Sequence, residues 1–116
     1  GGDFHHEIAL QNVGPAAAQP NPAGVGLYQV AFAVPDARSL ARAYQALTEA
    51  GVSVATVDHL ISWALYFDDP DGNGLEVSYE QPRTEWPRQE QVFAEDVVNR
   101  GLFKGPWDDD PALVRR

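Results

Sequence analysis

Glu76 is the side chain in this sequence whose type and position are best suited to chemistry. It lies in residues 63–77, where two apolar runs flank Asp-Pro-Asp-Gly-Asn-Gly, the composition of a tight hairpin turn. Because side chains alternate along a strand, Leu75 and Val77 face one side and Glu76 faces the other. A carboxylate there is either solvated on an open sheet face or a metal ligand, and alternation leaves both interpretations open.

Two other polar side chains are predicted to line a groove with Glu76. Gln29 lies in a predicted strand over residues 27–34, on the face with small alanines, whereas Tyr28 lies on the bulky face. Tyr66 lies on the first hairpin arm, away from the predicted core face. An amide oxygen is a weak, neutral ligand, so Gln29 is either a weak metal ligand or part of the polar lining of a metal-free groove.

The histidines have two interpretations each. His5 and His6 are adjacent on a predicted strand over residues 4–11, so they point to opposite faces and at most one can serve a concave site. Alternation groups His6 with apolar neighbours, which would bury it. His59 follows Asp58 at a strand end, where it either caps a turn or contributes to a site.

The hairpin turn has a predicted mechanism. Pro70 presets the backbone for a turn, Asp71 and Asn73 can accept hydrogen bonds from nearby backbone, and Gly72 and Gly74 tolerate positive φ. These features predict a short connection that fixes the pairing of the two arms.

The remaining segments predict the elements that position these side chains. Asp36 is predicted to cap the start of a helix, and Gly51 is predicted to end it. A short strand is predicted over residues 52–57. One strand, one helix and three strands then form a βαβββ module. The predicted units are an N-terminal strand with a Pro/Gly-rich linker (1–26), the module (27–80), and a C-terminal arm with a short helix and a polar tail (81–116).

The composition of the chain excludes some classes of partner and of chemistry. The chain has 116 residues, enough for one compact domain, and a formal net charge of -9, which disfavours nucleic acid and anionic membrane surfaces as partners. It has no Cys, which excludes thiolate chemistry. No apolar run reaches the roughly 18 residues of a membrane helix, and the start lacks signal-peptide features, so we expect a cytoplasmic protein.

The final hairpin resembles that of the vicinal-oxygen-chelate superfamily in its sequence Tyr-Phe-Asp-Asp-Pro-Asp-Gly-Asn-Gly-Leu-Glu-Val. This superfamily of glyoxalase I, bleomycin-resistance proteins and extradiol dioxygenases is built from βαβββ modules. The order of the segments along the chain is similar to that in the C-terminal half of catechol 2,3-dioxygenase-type enzymes. These segments are a His-His-x-Ile-Ala-Leu strand, the sequence Gly-Leu-Tyr-x-Val-Ala-Phe, a helix, and Asp-His before the final hairpin.

The resemblance implies a role for each candidate residue. Glu76 matches the carboxylate ligand of a mononuclear Fe(II) site, and His6 matches the His that acts as acid and base. His59 matches a second-sphere His near the substrate hydroxyl, and Tyr66 matches the Tyr that hydrogen-bonds the catecholate. Gln29 stands where these enzymes carry a His ligand, although glyoxalase I uses Gln at the equivalent strand. Another His ligand comes from an upstream module, so this chain supplies one clear member of a site that needs two His and one carboxylate.

We therefore expect an α+β fold with a curved, cup-like mixed sheet, an extra N-terminal strand and a C-terminal arm. The expected function is extradiol dioxygenase-like ring cleavage of a small aromatic molecule at Fe(II) or another divalent metal, completed by a homodimer partner or a missing N-terminal module. The alternatives are a non-catalytic, metal-free small-molecule binder of the bleomycin-resistance type and a glyoxalase-like lyase or isomerase.

Overall fold

A computed structural model of the chain describes residues 8–86, which form an open, curved four-stranded sheet with one helix. The sheet order is β1-β4-β3-β2; β1 runs parallel to β4, and the other neighbouring pairs are antiparallel. The predicted α+β class and βαβββ order are confirmed. The elements are β1 (Val30–Ala33), α1 (Ala37–Glu49), β2 (Ala55–Asp58), β3 (Ser62–Asp68), β4 (Gly74–Glu80) and a short 3-10 turn (Arg83–Glu85).

Three predicted boundaries differ from the structure. The strand predicted over residues 27–34 begins only at Val30, because its pairing with β4 starts opposite Leu75. The strand predicted over 52–57 is displaced to β2, whose partners lie on β3. Residues 8–11 form neither strand nor helix, since a strand needs a paired neighbour to be stable. The predicted C-terminal helix lies outside the described residues.

The helix begins and ends as the sequence predicts. The Ser39 backbone N–H donates to Asp36 Oδ1 at 2.7 Å, which satisfies one of the free donors at the helix start. Gly51 follows the last turn with a φ of 77°, and the Val52 N–H donates to the Leu47 carbonyl at 2.9 Å, the pattern of a Schellman C-cap. Among the described helices, none is long and apolar enough to cross a membrane.

The helix covers one face of the sheet and forms the core with it. Leu40 and Ala41 of α1 and Leu65 of β3 are fully buried. Trp63 packs against this core. The partly buried hydrophobic residues around the core are Val34, Ala43, Tyr44, Leu47, Val54, Trp63, Val77 and Tyr79. The opposite face of the sheet is therefore free of the helix and can carry polar side chains.

Asp69 organises the turn between β3 and β4, a role that the sequence analysis gave to Asp71 and Asn73. Its Oδ1 accepts hydrogen bonds from the backbone N–H groups of Asp71 at 2.9 Å and Asn73 at 2.8 Å, and its Oδ2 accepts from the Asn73 side chain at 2.8 Å. These bonds lower the pKa of the Asp69 carboxyl. Gly72 has the predicted positive φ, 82°, whereas Gly74 does not. Asp69 takes this role because it precedes the turn, so its carboxyl oxygens can accept hydrogen bonds from Asp71 and Asn73.

Candidate functional site

Strand register places the candidate carboxylate and phenol side by side on the helix-free face of the sheet. Tyr66 of β3 is paired with Glu76 of β4, and Glu76 is also aligned with Ala31 of β1. Residues that are directly paired across strands point to the same face. Gln29 lies two residues before Ala31 and reaches the same face, where its side chain contacts Glu76.

Four side chains on this face form one continuous hydrogen-bonded chain. Gln29 Nε2 donates to Glu76 Oε2 at 2.5 Å, and the Tyr66 hydroxyl is hydrogen-bonded to the Glu76 side chain. His59 Nε2 lies 2.8 Å from the Tyr66 hydroxyl oxygen, with the two rings edge to face. We call this set, Gln29, Glu76, Tyr66 and His59, the polar chain.

Chemistry fixes the direction of each bond in the polar chain. A carboxylate can only accept, so both Gln29 and Tyr66 donate to Glu76. Tyr66 has one O–H, and that proton is directed at Glu76. His59 Nε2 must therefore carry a hydrogen and donate to the Tyr66 oxygen, which defines the neutral tautomer as the Nε2–H form. The carboxylate is thus the common acceptor at which the hydrogen bonds converge.

The surroundings keep Tyr66 protonated. Burial, together with the charge of Glu76 and the hydrogen bond to Glu76, raises the pKa of its phenol from an ordinary 10.0 to about 12. The neutral phenol is therefore a donor across the physiological range. Its contribution to stability is fully present below pH 10 and is lost as the pH rises through about 12, since the fold favours the neutral form.

Replacing Glu76 by Gln is expected to lower the Tyr66 pKa, because the negative charge that disfavours the tyrosinate disappears while burial remains. The measurement is the tyrosinate absorbance between pH 9 and about 13, with Tyr66→Phe identifying the Tyr66 titration among those of the four tyrosines. A Tyr66 titration that coincides in the wild-type chain and Glu76→Gln would contradict the proposed coupling.

A cavity of about 410 Å³ lies beside the polar chain and includes two of its members. Its lining includes Tyr28, Gln29, Ser53, Ala55, Tyr66, Asp68 and Leu75. The volume lies in the range of roughly 300 to 1,000 Å³ that small-molecule sites occupy. The sequence analysis placed Tyr28 on the opposite face from Gln29, whereas both residues line this cavity. Alternation does not extend to residue 28, because the strand begins only at Val30.

Close packing holds the segment before β1 against the start of β4. A side chain at Gly74 would place its Cβ 2.6 Å from the Tyr28 carbonyl oxygen and 3.6 Å from the Gln29 Cβ. Contacts under 3.0 Å do not occur, so this approach requires glycine. Gly74 is therefore needed for the close approach of Tyr28, and it fixes Gln29 near Glu76.

The β2–β3 connection presents His59 to Tyr66. Asp58 Oδ1 accepts from the Leu60 backbone N–H at 2.8 Å, and the His59 N–H donates to the Ser62 carbonyl at 2.8 Å. Leu60 has a φ of 65°, a left-handed conformation that a non-glycine residue adopts at a cost. Asp58 rather than the His59 side chain therefore caps the turn, and the imidazole is available to the polar chain.

A complete Fe(II) site does not fit the side chains that residues 8–86 bring together. No group of three His, Asp or Glu side chains among them is placed to hold a metal ion. Glu76 could supply one carboxylate ligand, but Gln29 directs an N–H donor at it, and His59 is engaged with Tyr66. His6 lies outside the described residues. The arrangement is a hydrogen-bonding surface built around one carboxylate.

The structure brings together four of the five residues that the sequence analysis selected. Glu76, Gln29, Tyr66 and His59 converge on one face, and their roles stay predictions. The sequence analysis missed Ser53 and Ala55, which line the cavity. The available signal was that both residues are small and lie in a predicted strand. That strand was predicted over residues 52–57, whereas β2 begins at Ala55, so the prediction did not show which residues face the cavity.

Comparison with known proteins places this arrangement in a family. The chain is 37% identical over 106 residues to catechol-2,3-dioxygenase of Bacillus subtilis (strain 168), covering 88% of this chain and 37% of that protein. It is 31% identical over 112 residues to biphenyl-2,3-diol 1,2-dioxygenase 3 of Rhodococcus globerulus, covering 95% of this chain and 58% of that protein. It is 32% identical over 75 residues to biphenyl-2,3-diol 1,2-dioxygenase 2 of the same organism, covering 63% of this chain and 39% of that protein.

The chain thus spans less than two thirds of the length of these relatives. No solved structure gives a significant match. The family model for the Glyoxalase/Bleomycin resistance protein/Dioxygenase superfamily matches residues 1–77, well over half of the chain. The fold order, the helix-free polar face and these matches lead to one conclusion: the chain belongs to the Glyoxalase/Bleomycin resistance protein/Dioxygenase superfamily.

Proposed function

We propose that this chain binds an aromatic ring with two neighbouring hydroxyl groups on the helix-free face of its sheet, as one module of an extradiol dioxygenase-like protein. The names of its relatives, catechol-2,3-dioxygenase and biphenyl-2,3-diol 1,2-dioxygenase, share this substrate chemistry. The observation that carries the proposal is the convergence of Gln29 and Tyr66 on the Glu76 carboxylate beside a cavity of small-molecule size.

The polar chain retains hydrogen-bonding capacity for such a ligand. A carboxylate offers about four acceptor positions, and the hydrogen bonds from Gln29 and Tyr66 use two of those on Glu76. A ligand hydroxyl can donate to Glu76, and the Tyr66 oxygen, which accepts from His59, has a further acceptor position. Tyr28 and Ala55, which is paired with Tyr66, line the cavity where the ring would lie.

Ring cleavage requires groups beyond the described residues. A divalent metal would supply the activation of oxygen for such chemistry, and residues 8–86 do not supply its ligand set. We include in the proposal that a second copy in a homodimer, or another module, supplies the groups that ring cleavage requires. The unpaired outer edges of β1 and β2 in the described sheet are where a further strand can add. His6 keeps its proposed role as acid and base.

A second candidate function is that of a non-catalytic small-molecule binder. The hydrogen bond from Gln29 to Glu76 favours it, because this bond satisfies the carboxylate without a cation. Both candidates bind the ligand at the same face. They differ in whether ring cleavage follows.

The test is a calorimetric titration of catechol into the purified chain, followed by reconstitution with Fe(II) and exposure to oxygen. We expect saturable binding of catechol that is at least tenfold tighter than binding of benzene, which lacks both hydroxyls. A yellow ring-cleavage product after reconstitution supports the dioxygenase function. Catechol binding without a product supports the non-catalytic small-molecule binder. Equal affinity for catechol and benzene, or no saturable binding, would overturn the proposed function.

A further inference from the structure

We propose that Gln29 makes the site of this chain metal-independent, so that the polar chain takes a vicinal aromatic diol by hydrogen bonds and not a divalent cation. Gln29 is then a residue that determines what the site accepts. For the diol, the inference rests on the proposed function. For the exclusion of the cation, it rests on the contact between Gln29 and Glu76.

The first step is the identity of the atom that faces Glu76. Because a carboxylate only accepts, the Gln29 atom 2.5 Å from Glu76 Oε2 is the amide nitrogen Nε2. The amide oxygen, the atom of Gln29 that a cation would bind, is therefore not the atom directed at this carboxylate oxygen. For Gln29 and Glu76 to bind the same cation, this bond must break and the amide must rotate.

Two groups compete for the Glu76 carboxylate, the Gln29 amide and a divalent cation. Breaking a hydrogen bond to a charged group weakens binding by roughly one to two orders of magnitude. In return, a cation would gain one neutral amide oxygen and one carboxylate, whereas zinc sites and non-haem iron sites use three or more protein ligands. Among residues 8–86, no third His, Asp or Glu is placed to complete such a set. The amide is therefore the favoured partner of Glu76.

The third step is that the backbone holds Gln29 in place. The carbonyl oxygen of Tyr28 packs where a Cβ of residue 74 would lie, which keeps the segment before β1 close to the start of β4. The bond between Gln29 and Glu76 is partly buried, so water competes for it less than on an open surface. Gln29 is positioned to pair with Glu76 before any ligand arrives.

The experiment measures metal binding with Co²⁺, whose visible absorption reports coordination by protein ligands. The chain, Gln29→His and Gln29→Glu are each titrated after chelator treatment. The control is Gln45→His, because Gln45 donates a comparable hydrogen bond to Glu49 at 2.8 Å on the exposed helix surface, remote from the site. Circular dichroism verifies that each variant is folded, and two different substitutions at residue 29 guard against failure of either one to fold.

We expect no saturable Co²⁺ binding by the chain or by Gln45→His at millimolar metal, but saturable binding in that range by a folded variant with His or Glu at residue 29. Folded variants that both fail to bind Co²⁺ would overturn the role of Gln29. We also expect catechol to bind the chain equally well with and without EDTA. Co²⁺ binding by the unaltered chain that is lost in Glu76→Ala would overturn the inference, as would loss of catechol binding in EDTA. Neither result would overturn the proposed function, which fails if no metal state of the chain binds catechol saturably and more tightly than benzene.

Discussion

Replacing Glu76 by Ala is expected to weaken catechol binding by about a hundredfold. The change removes the common acceptor for Gln29 and Tyr66 and the charge that a ligand hydroxyl would meet. A hydrogen bond to a charged group contributes roughly 1.5–3 kcal/mol, which corresponds to about 10- to 150-fold in affinity. Calorimetric titration with catechol measures the effect directly. The catechol affinity of Glu76→Gln should fall between those of the wild-type chain and Glu76→Ala, because Gln keeps the shape of the side chain but not its charge.

The chain provides a matched control for this substitution. Glu49 accepts a side-chain hydrogen bond from Gln45 at 2.8 Å, but on the exposed surface of α1. Glu49→Ala removes the same functional group and the same net charge without touching the helix-free face. We expect its catechol affinity to stay within about twofold of the wild-type value. Similar losses in Glu76→Ala and Glu49→Ala would mean that the affinity depends on overall charge and not on the site.

Replacing Leu65 by Ala is expected to destabilise the fold by about 2–5 kcal/mol. Leu65 is fully buried between the sheet and α1, so its truncation leaves a cavity as well as losing apolar burial. Typical domains have about 5–15 kcal/mol of stability in total, and Leu65 also lies next to Tyr66, so its loss threatens the site itself. Urea unfolding followed by tryptophan fluorescence measures the change.

Leu10→Ala is the control for that experiment. Leu10 is 90% exposed and lies in the segment before β1. The same chemical truncation there should change the free energy of unfolding by about 0.5 kcal/mol or less. If both variants unfold at the same urea concentration, the core does not lie between α1 and β3 as described.

The elements were predictable wherever a local signal determined them. The cap at Asp36, the left-handed Gly51 and the alternation through the final hairpin each depend on a few adjacent residues, and the structure confirms them. Strand ends were less predictable. Where β1 begins is decided by its partner β4 and by the close approach at Gly74, and no sequence pattern near Val30 records that contact.

The site could be predicted in composition but not in its bonding. Alternation and the family resemblance selected Gln29, Tyr66 and Glu76, and the register of the sheet brings them together. That Gln29 donates to Glu76, rather than offering its oxygen, depends on distances between side chains 47 residues apart in the chain. The partnership of His59 with Tyr66 likewise depends on a turn in which Asp58 does the capping.

The most direct test of the central claim is a crystal structure of the chain with catechol bound. We predict that one ring lies on the helix-free face, with its hydroxyl oxygens within about 3 Å of the Glu76 carboxylate and the Tyr66 hydroxyl. Catechol bound on the α1 side of the sheet, or with neither hydroxyl near these two residues, would contradict the account.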